Sequence, residues 1–183
     1  MTLRTLQATA VALAFAVGAV ETAAQPQTAR LHAPDVKFVA SPQSVVDAML
    51  ELAHVTAADV VFDLGSGDGR IPITAAQRYG ARGVGIEIDS TLVRESNSRL
   101  AKSGVADRVV FVNQDLFDAD LRDATVVTVF LLPRVLDRLL PKLRRELRPG
   151  TRIVSNQYHF GDEWPPEETR DVDGLTIYLW KIG

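Results

Sequence analysis

Val60-Val61-Phe62-Asp63-Leu64-Gly65-Ser66-Gly67-Asp68-Gly69-Arg70 passes from a β-branched and aromatic apolar run, through three alternating glycines, into a helical pattern. The apolar run has the composition of a strand buried on both faces. Glycine tolerates positive φ and has no Cβ to hold a ligand at a distance, so this turn lets the backbone approach a bound molecule closely. A ligand is therefore expected at the carboxyl end of the strand. The spacing is Gly-x-Gly-x-Gly, and Arg70 stands where the dinucleotide fingerprint needs its third glycine, which argues against NAD or FAD. A tight structural turn is the competing reading, and the residues around the turn weigh against it.

Working outward, three successive strand ends carry acceptors. Asp63 closes the first strand, where a carboxylate can face the ammonium of a bound amino-acid moiety. The next strand ends Gly83-Val84-Gly85-Ile86-Glu87, and Glu87 can accept two hydrogen bonds from a ribose diol. The third ends Asn113-Gln114-Asp115-Leu116, which offers an acceptor for an exocyclic adenine amine beside an apolar side chain for the ring. Singly, each acid could be a cap, a turn residue or a solvated strand end. In chain order on successive strands they fit an amine, a diol and an adenine together.

The rest of the chain supports an α/β fold. Val45, Val46, Met49, Leu50 and Ala53 recur at helical spacing after Ser41-Pro42, which places Ser41 as the expected N-cap and Pro42 in the first turn. Strands are expected over 59–64, 81–88, 108–113, 125–131 and 151–157, with helices near 70–79, 90–102 and 133–147 between them. This alternation predicts a doubly wound sheet with right-handed crossovers. Asp173-Gly174 between two alternating runs, 168–172 and 175–182, predicts a terminal hairpin.

The first residues differ in kind. Arg4, the apolar run from Ala8 to Val20 and the small residues Thr22-Ala23-Ala24 read as a signal peptide over 1–24, followed by a linker over 25–34 and one domain over 35–183. The run is shorter than the roughly 20 residues a membrane-spanning helix needs, so export to the periplasm or the extracellular space is expected, with an uncleaved membrane anchor as the alternative. The 183 residues, 46% of them hydrophobic, suit a single core. The formal charge of -3, with no basic block, disfavours a nucleic-acid partner. Cysteine is absent, and His32, His54 and His159 match no metal-ligand spacing, so no metal is expected.

With these features in view, the chain resembles the class I S-adenosylmethionine-dependent methyltransferases over nearly all of 35–183. More narrowly, Phe38-Val39-Ala40-Ser41-Pro42, the Asp63 to Arg70 turn, Gly83 to Glu87 and Arg152-Ile153-Val154-Ser155 resemble the ATP synthase c-subunit lysine methyltransferases and their small bacterial relatives. The resemblance implies a Rossmann-like seven-stranded sheet, mostly parallel with an antiparallel last strand. It implies S-adenosyl-L-methionine as cofactor, held by Phe38, Asp63, Gly65, Ser66, Gly67, Glu87, Ile88, Asp115 and Leu116. Phe38-Val39-Ala40-Ser41-Pro42 departs from the family's usual Tyr-Val-Pro-Thr-Pro.

For the acceptor side, Phe130-Leu131-Leu132-Pro133 replaces the Asn/Asp-Pro-Pro-aromatic signature of enzymes that methylate nucleic-acid amines. Phe130, Leu131 and Trp164 are the expected walls of a channel for an aliphatic side chain, with Tyr158 as the expected catalytic group. Ordinary core packing for Phe130 and Leu131, and a loop anchor for Trp164, are the competing readings. The expectation is thus a methyltransferase whose acceptor is a protein lysine. The rivals are a non-catalytic S-adenosylmethionine-fold binding protein of the cell envelope, a nucleotide-dependent oxidoreductase and a nucleic-acid methyltransferase.

Overall fold

The structure of the chain, a computed structural model, describes Leu31 and residues 38–183. The expected leader, and all of the expected linker but Leu31, lie outside the described residues. The described elements run α1 (Gln43–Leu52), β1 (Val60–Leu64), α2 (Arg70–Tyr79), β2 (Arg82–Glu87), α3 (Ser90–Leu100), β3 (Val109–Asn113), β4 (Val126–Val129), α4 (Pro133–Glu146), β5 (Arg152–Asn156), β6 (Glu168–Val172) and β7 (Leu175–Lys181). They form one sheet in the order β3-β2-β1-β4-β5-β7-β6. β1 to β5 pair in parallel, and β7 runs antiparallel to both β5 and β6. The order reverses between β2-β1 and β4, the position at which open α/β sheets leave a crevice at their carboxyl ends.

Side-chain alternation along the strands divides the core in two. Val60, Phe62 and Leu64 join Val127, Val129 and Ile153 against Val135, Leu136, Leu139 and Leu143 of α4. Val61, Val126 and Val154 turn the other way, onto Val45, Val46, Met49 and Leu50 of α1 and Ile71 and Ala75 of α2. Both faces of the central strands are thereby dry, as their unbroken apolar sequences require. At Gly83 an added Cβ would lie 2.8 Å from Pro72 Cβ, so the missing side chain is what lets α2 settle on β2.

The hairpin forms as its Asp-Gly pair predicts: Asp173 and Gly174 have φ of 56° and 80°, the two positive values a tight turn of this twist requires. Two local expectations need correction. Ser41 is not the cap of α1, since the N-cap position is Pro42 and carries no side-chain hydrogen bond; the Ser41 hydroxyl is instead buried against Asn156. β4 ends at Val129, short of the expected Leu131. Its pairing with β5 stops at Val129 and Ser155, and Pro133 at the start of α4 favours the extended backbone of Leu132, so Phe130 and Leu131 leave the ladder.

At the amino end of the sheet Asp59 accepts from Thr56 N, Thr56 Oγ1 and Thr125 Oγ1 and pairs with Arg152. Burial alone would raise this carboxyl, yet those hydrogen bonds and the Arg152 charge hold it below the usual carboxylate range. Its lone pairs are spent within the protein, which marks it as a structural brace far from the carboxyl ends.

Candidate active site

A cavity of about 530 Å³ opens at the carboxyl ends of β1, β2 and β4. Its size is that of small-molecule and cofactor sites. Asp63, Gly65, Ser66, Glu87, Ile88, Leu116, Phe38, Phe130, Leu131 and Tyr158 all line it, so ten of the expected site residues meet in one place. Gly67 lies in the same loop, directly under the Phe38 ring.

The glycine turn is built from β2. Gly65 N and Ser66 N both donate to the Ile86 carbonyl, at 2.9 and 3.0 Å, and Gly67 N donates to Glu87 Oε2 at 2.9 Å. The other Glu87 oxygen accepts from Asp89 N at 2.9 Å. Each oxygen of an ionised carboxylate retains a second lone pair, so Glu87 fixes the loop and can still receive a diol. Gly65, Gly67 and Gly69 have φ of 81°, 52° and 78°, values that a side chain would strain.

Asp63, 4% exposed, accepts from Thr128 Oγ1 at 2.7 Å, the two residues being register partners on β1 and β4. Burial pushes its carboxyl up to about 7; the Thr128 hydrogen bond opposes the rise, and the charges of Glu87 and Asp68 add to it. A carboxyl so placed ionises readily only when a cation arrives beside it.

Two expected positions fall out differently. Asp115 is absent from the cavity wall: its Oδ1 accepts from Phe117 N at 2.9 Å, which closes the turn after β3, and its neighbours Gln114 and Leu116 face the cavity. The short polar side chain serves its own turn first. Trp164 is also outside the wall. It packs on Phe160 and Trp180, its carbonyl accepts from Trp180 Nε1 at 2.8 Å, and Arg144 lies over its ring, so it anchors a loop to the core. Phe130 and Tyr158 do pair at the cavity, with rings 6.3 Å apart and nearly parallel at 22°. Leu131 sits 3.2 Å from where a Gly65 Cβ would be, so it closes the floor beside the turn.

Asp68, Arg70, Ser41, Asp89, Leu92 and Val135 also line the cavity, and no local sequence signal marks them as site residues. Arg70 was legible only as a missing glycine, yet its guanidinium donates to Asp68 at 2.9 and 2.6 Å and to the Ser41 carbonyl at 2.6 Å. Burial would raise the Asp68 carboxyl, but hydrogen bonds from Arg70 and the charges of Arg70 and Arg99 outweigh it and hold it ionised. The pairing with Arg70 spans two residues and could have been suspected; the contact with Ser41 spans 29 and could not.

A sequence profile of the ANTKMT methyltransferase domain matches residues 63–168, from the acid of β1 to the start of β6. The chain belongs to the ANTKMT methyltransferase family. A protein-lysine N-methyltransferase of Saccharolobus islandicus strain REY15A is 43% identical over 157 residues, 83% of this chain and 97% of that protein. The adenine nucleotide translocase lysine N-methyltransferase of Mus musculus is 36% identical over 132 residues, 72% of this chain but 56% of that protein. The chain thus spans about half the length of this mammalian relative. Among solved structures, one described as an RNA methyltransferase from Salinibacter ruber, in complex with S-adenosyl-L-homocysteine, superposes with a TM-score of 0.77 at 53% identity, covering 79% of this chain and 94% of that one.

This member of the ANTKMT family is an S-adenosylmethionine-dependent methyltransferase, and the non-catalytic alternative is not favoured. The residues present suit that cofactor. The turn offers a cradle that side chains at Gly65 and Gly67 would fill, and Ser66 Oγ is buried at the cavity without a hydrogen-bond partner. Asp63 and Glu87 bring two acceptors to adjoining strand ends. Gly67→Val is expected to abolish S-adenosyl-L-homocysteine binding with the domain still folded, because the new side chain must displace Phe38 and strain a φ of 52°. Calorimetry on the variant checks this, and normal affinity would reduce the loop to a structural turn.

Proposed function

We propose that this methyltransferase acts on the ε-amine of a protein lysine. The observation that carries the proposal is the Saccharolobus islandicus relative, described as a protein-lysine N-methyltransferase, whose likeness to this chain extends over 97% of its length. The acceptor side supports it, because Phe130 and Leu131 give an apolar approach where base-amine methylases carry polar residues. When bound, the cofactor supplies a methyl group on a positively charged sulfur, open to in-line displacement.

The protein's task is then alignment and drying of the nucleophile. A lysine of pKa about 10.4 is mostly protonated at neutral pH and must shed that proton before it attacks. An apolar wall around the stem disfavours the ammonium and eases the loss of its proton to water. Tyr158 Oη can accept a hydrogen bond from an N–H of the neutral amine and so aim its lone pair. Tyr158→Phe is expected to slow single-turnover methylation by about tenfold and to leave S-adenosyl-L-homocysteine affinity unchanged. A matching loss of affinity would move Tyr158 from the acceptor to the cofactor.

A second reading has a specific ground: the Salinibacter ruber protein, 53% identical, is described as an RNA methyltransferase. The net charge of -3 and the Leu132-Pro133 pair after β4 weigh against RNA. Transfer of labelled methyl from the cofactor to native extract separates the two. Label that survives nuclease and is released as methyl-lysine on hydrolysis is expected; label confined to RNA would overturn the lysine proposal.

Export is the further part of this reading. Residues 1–24 carry the positive start, apolar run and small-residue site of a cleaved leader. The mature chain is expected to begin near Gln25 outside the cytoplasm, which intact-mass measurement after native expression checks. A full-length chain in membranes would indicate an anchor, and one in the cytosol would defeat export.

A further inference from the structure

We propose that Arg70 and Asn156 latch residues 38–41 over the cofactor cavity and thereby set how fast the cofactor leaves. The inference rests on the cavity as the cofactor's place and needs nothing about the acceptor.

Phe38, Val39, Ala40 and Ser41 all line the cavity, while Phe38 and Val39 remain 40% and 65% exposed. They form an outer wall of the cavity, with the Phe38 ring laid over Gly67 of the glycine turn. Ser41, by contrast, is 5% exposed and is gripped from two directions. Its carbonyl accepts from Arg70 Nη1 at 2.6 Å, and its hydroxyl accepts from Asn156 Nδ2 at 3.0 Å. Arg70 comes from the start of α2, beside the glycine turn; Asn156 ends β5, on the far side of β4.

Both grips are themselves braced. Asp68 engages Arg70 with both oxygens and takes Arg99 Nη2 at 2.8 Å, so the guanidinium is held in a fixed fork. Asn156 is fully buried, and its Oδ1 has no hydrogen-bond partner. A buried amide with one half unsatisfied is a net cost to folding, and an apolar residue of similar size would spare it. What the amide does provide is the one bond to Ser41. That pattern suits a residue kept for positioning.

Ser41 is the buried anchor of this exposed wall, so the two grips on Ser41 set how firmly residues 38–41 stay over the cavity. Weakening the fastening should therefore speed release without altering the floor of the cavity, which Asp63 and Glu87 form. The test is the dissociation rate of S-adenosyl-L-homocysteine from the full chain, with hydrogen exchange of amides 38–41 read in parallel. Arg70→Met keeps the stem and removes the fork; its release should be faster by about tenfold or more, the scale of one lost charge-assisted hydrogen bond. Arg70→Lys should fall between, since an ammonium cannot span Asp68 and Ser41 as a planar fork does. Ser41→Ala should shift the rate the same way by a smaller factor.

In the unaltered protein S-adenosyl-L-homocysteine should protect amides 38–41 from exchange, and in Arg70→Met that protection should be largely lost. Unaltered release from folded Arg70→Met, or an unchanged rate in Ser41→Ala should Arg70→Met fail to fold, would overturn the latch. Absence of any binding to the unaltered chain would instead overturn the cofactor's place, and the latch with it.

Discussion

Glu87→Ala is expected to weaken S-adenosyl-L-homocysteine binding by a hundredfold or more in a domain that still melts cooperatively. Two losses coincide at this one side chain. The first is the direct contact that its outward lone pairs offer a ribose diol. The second is internal, because Glu87 Oε2 holds Gly67 N and Oε1 holds Asp89 N, so removal frees the middle of the glycine turn and the entry to α3 together. Hydrogen bonds to a charged group are each worth about 1.5–3 kcal/mol, so two or more lost in concert exceed a hundredfold. Glu87→Gln should fall between, since its single amide oxygen can keep only one of the two N–H partners. Calorimetric titration measures both variants; wild-type affinity in folded Glu87→Ala would remove the residue from the site.

The affinity for S-adenosyl-L-homocysteine is also expected to depend on pH through Asp63. Without ligand its carboxyl titrates near 7, because burial raises it more than Thr128 lowers it. An arriving ammonium favours the ionised form, so binding below pH 7 must expel a proton. Affinity should rise by up to tenfold per pH unit toward 7 and level off above it. Stability of the free domain runs in the opposite sense: a folded pKa above the unfolded value near 4 means that stability is full below that value and declines as pH rises through 7. Asp63→Asn should flatten both profiles and cost at least tenfold in affinity, since a neutral amide cannot compensate the ammonium. Calorimetry in buffers of different ionisation enthalpy counts the released proton. Equal affinity at pH 5.5 and 7.5 would sink the assignment of Asp63 to the amine.

Much of this site is legible in the sequence because its parts are local. The Asp63 to Arg70 turn carries its own geometry in three glycines, and Glu87 is recognisable as a strand-ending acid. The doubly wound α/β class follows from alternating strands and helices, and Asp173-Gly174 announces the reversed strand. What escaped the sequence was long-range or competitive. The second task of Asp115 has no sign in Gln114-Asp115-Leu116: one of its oxygens closes the turn after β3 by accepting from Phe117 N. Trp164 looked like a channel wall because its partner Trp180 lies 16 residues on, across a hairpin. The grip of Asn156 on Ser41 spans 115 residues and has no local sign at all.

A calorimetric titration of the chain with S-adenosyl-L-homocysteine and, separately, with NAD tests the cofactor site most directly. One molecule of S-adenosyl-L-homocysteine should bind per chain, more tightly at pH 7.5 than at pH 5.5, and NAD should give no saturable heat. Saturable binding of NAD, or no binding of S-adenosyl-L-homocysteine by folded protein, would contradict the reading of the glycine turn and of the acids at the ends of β1 and β2.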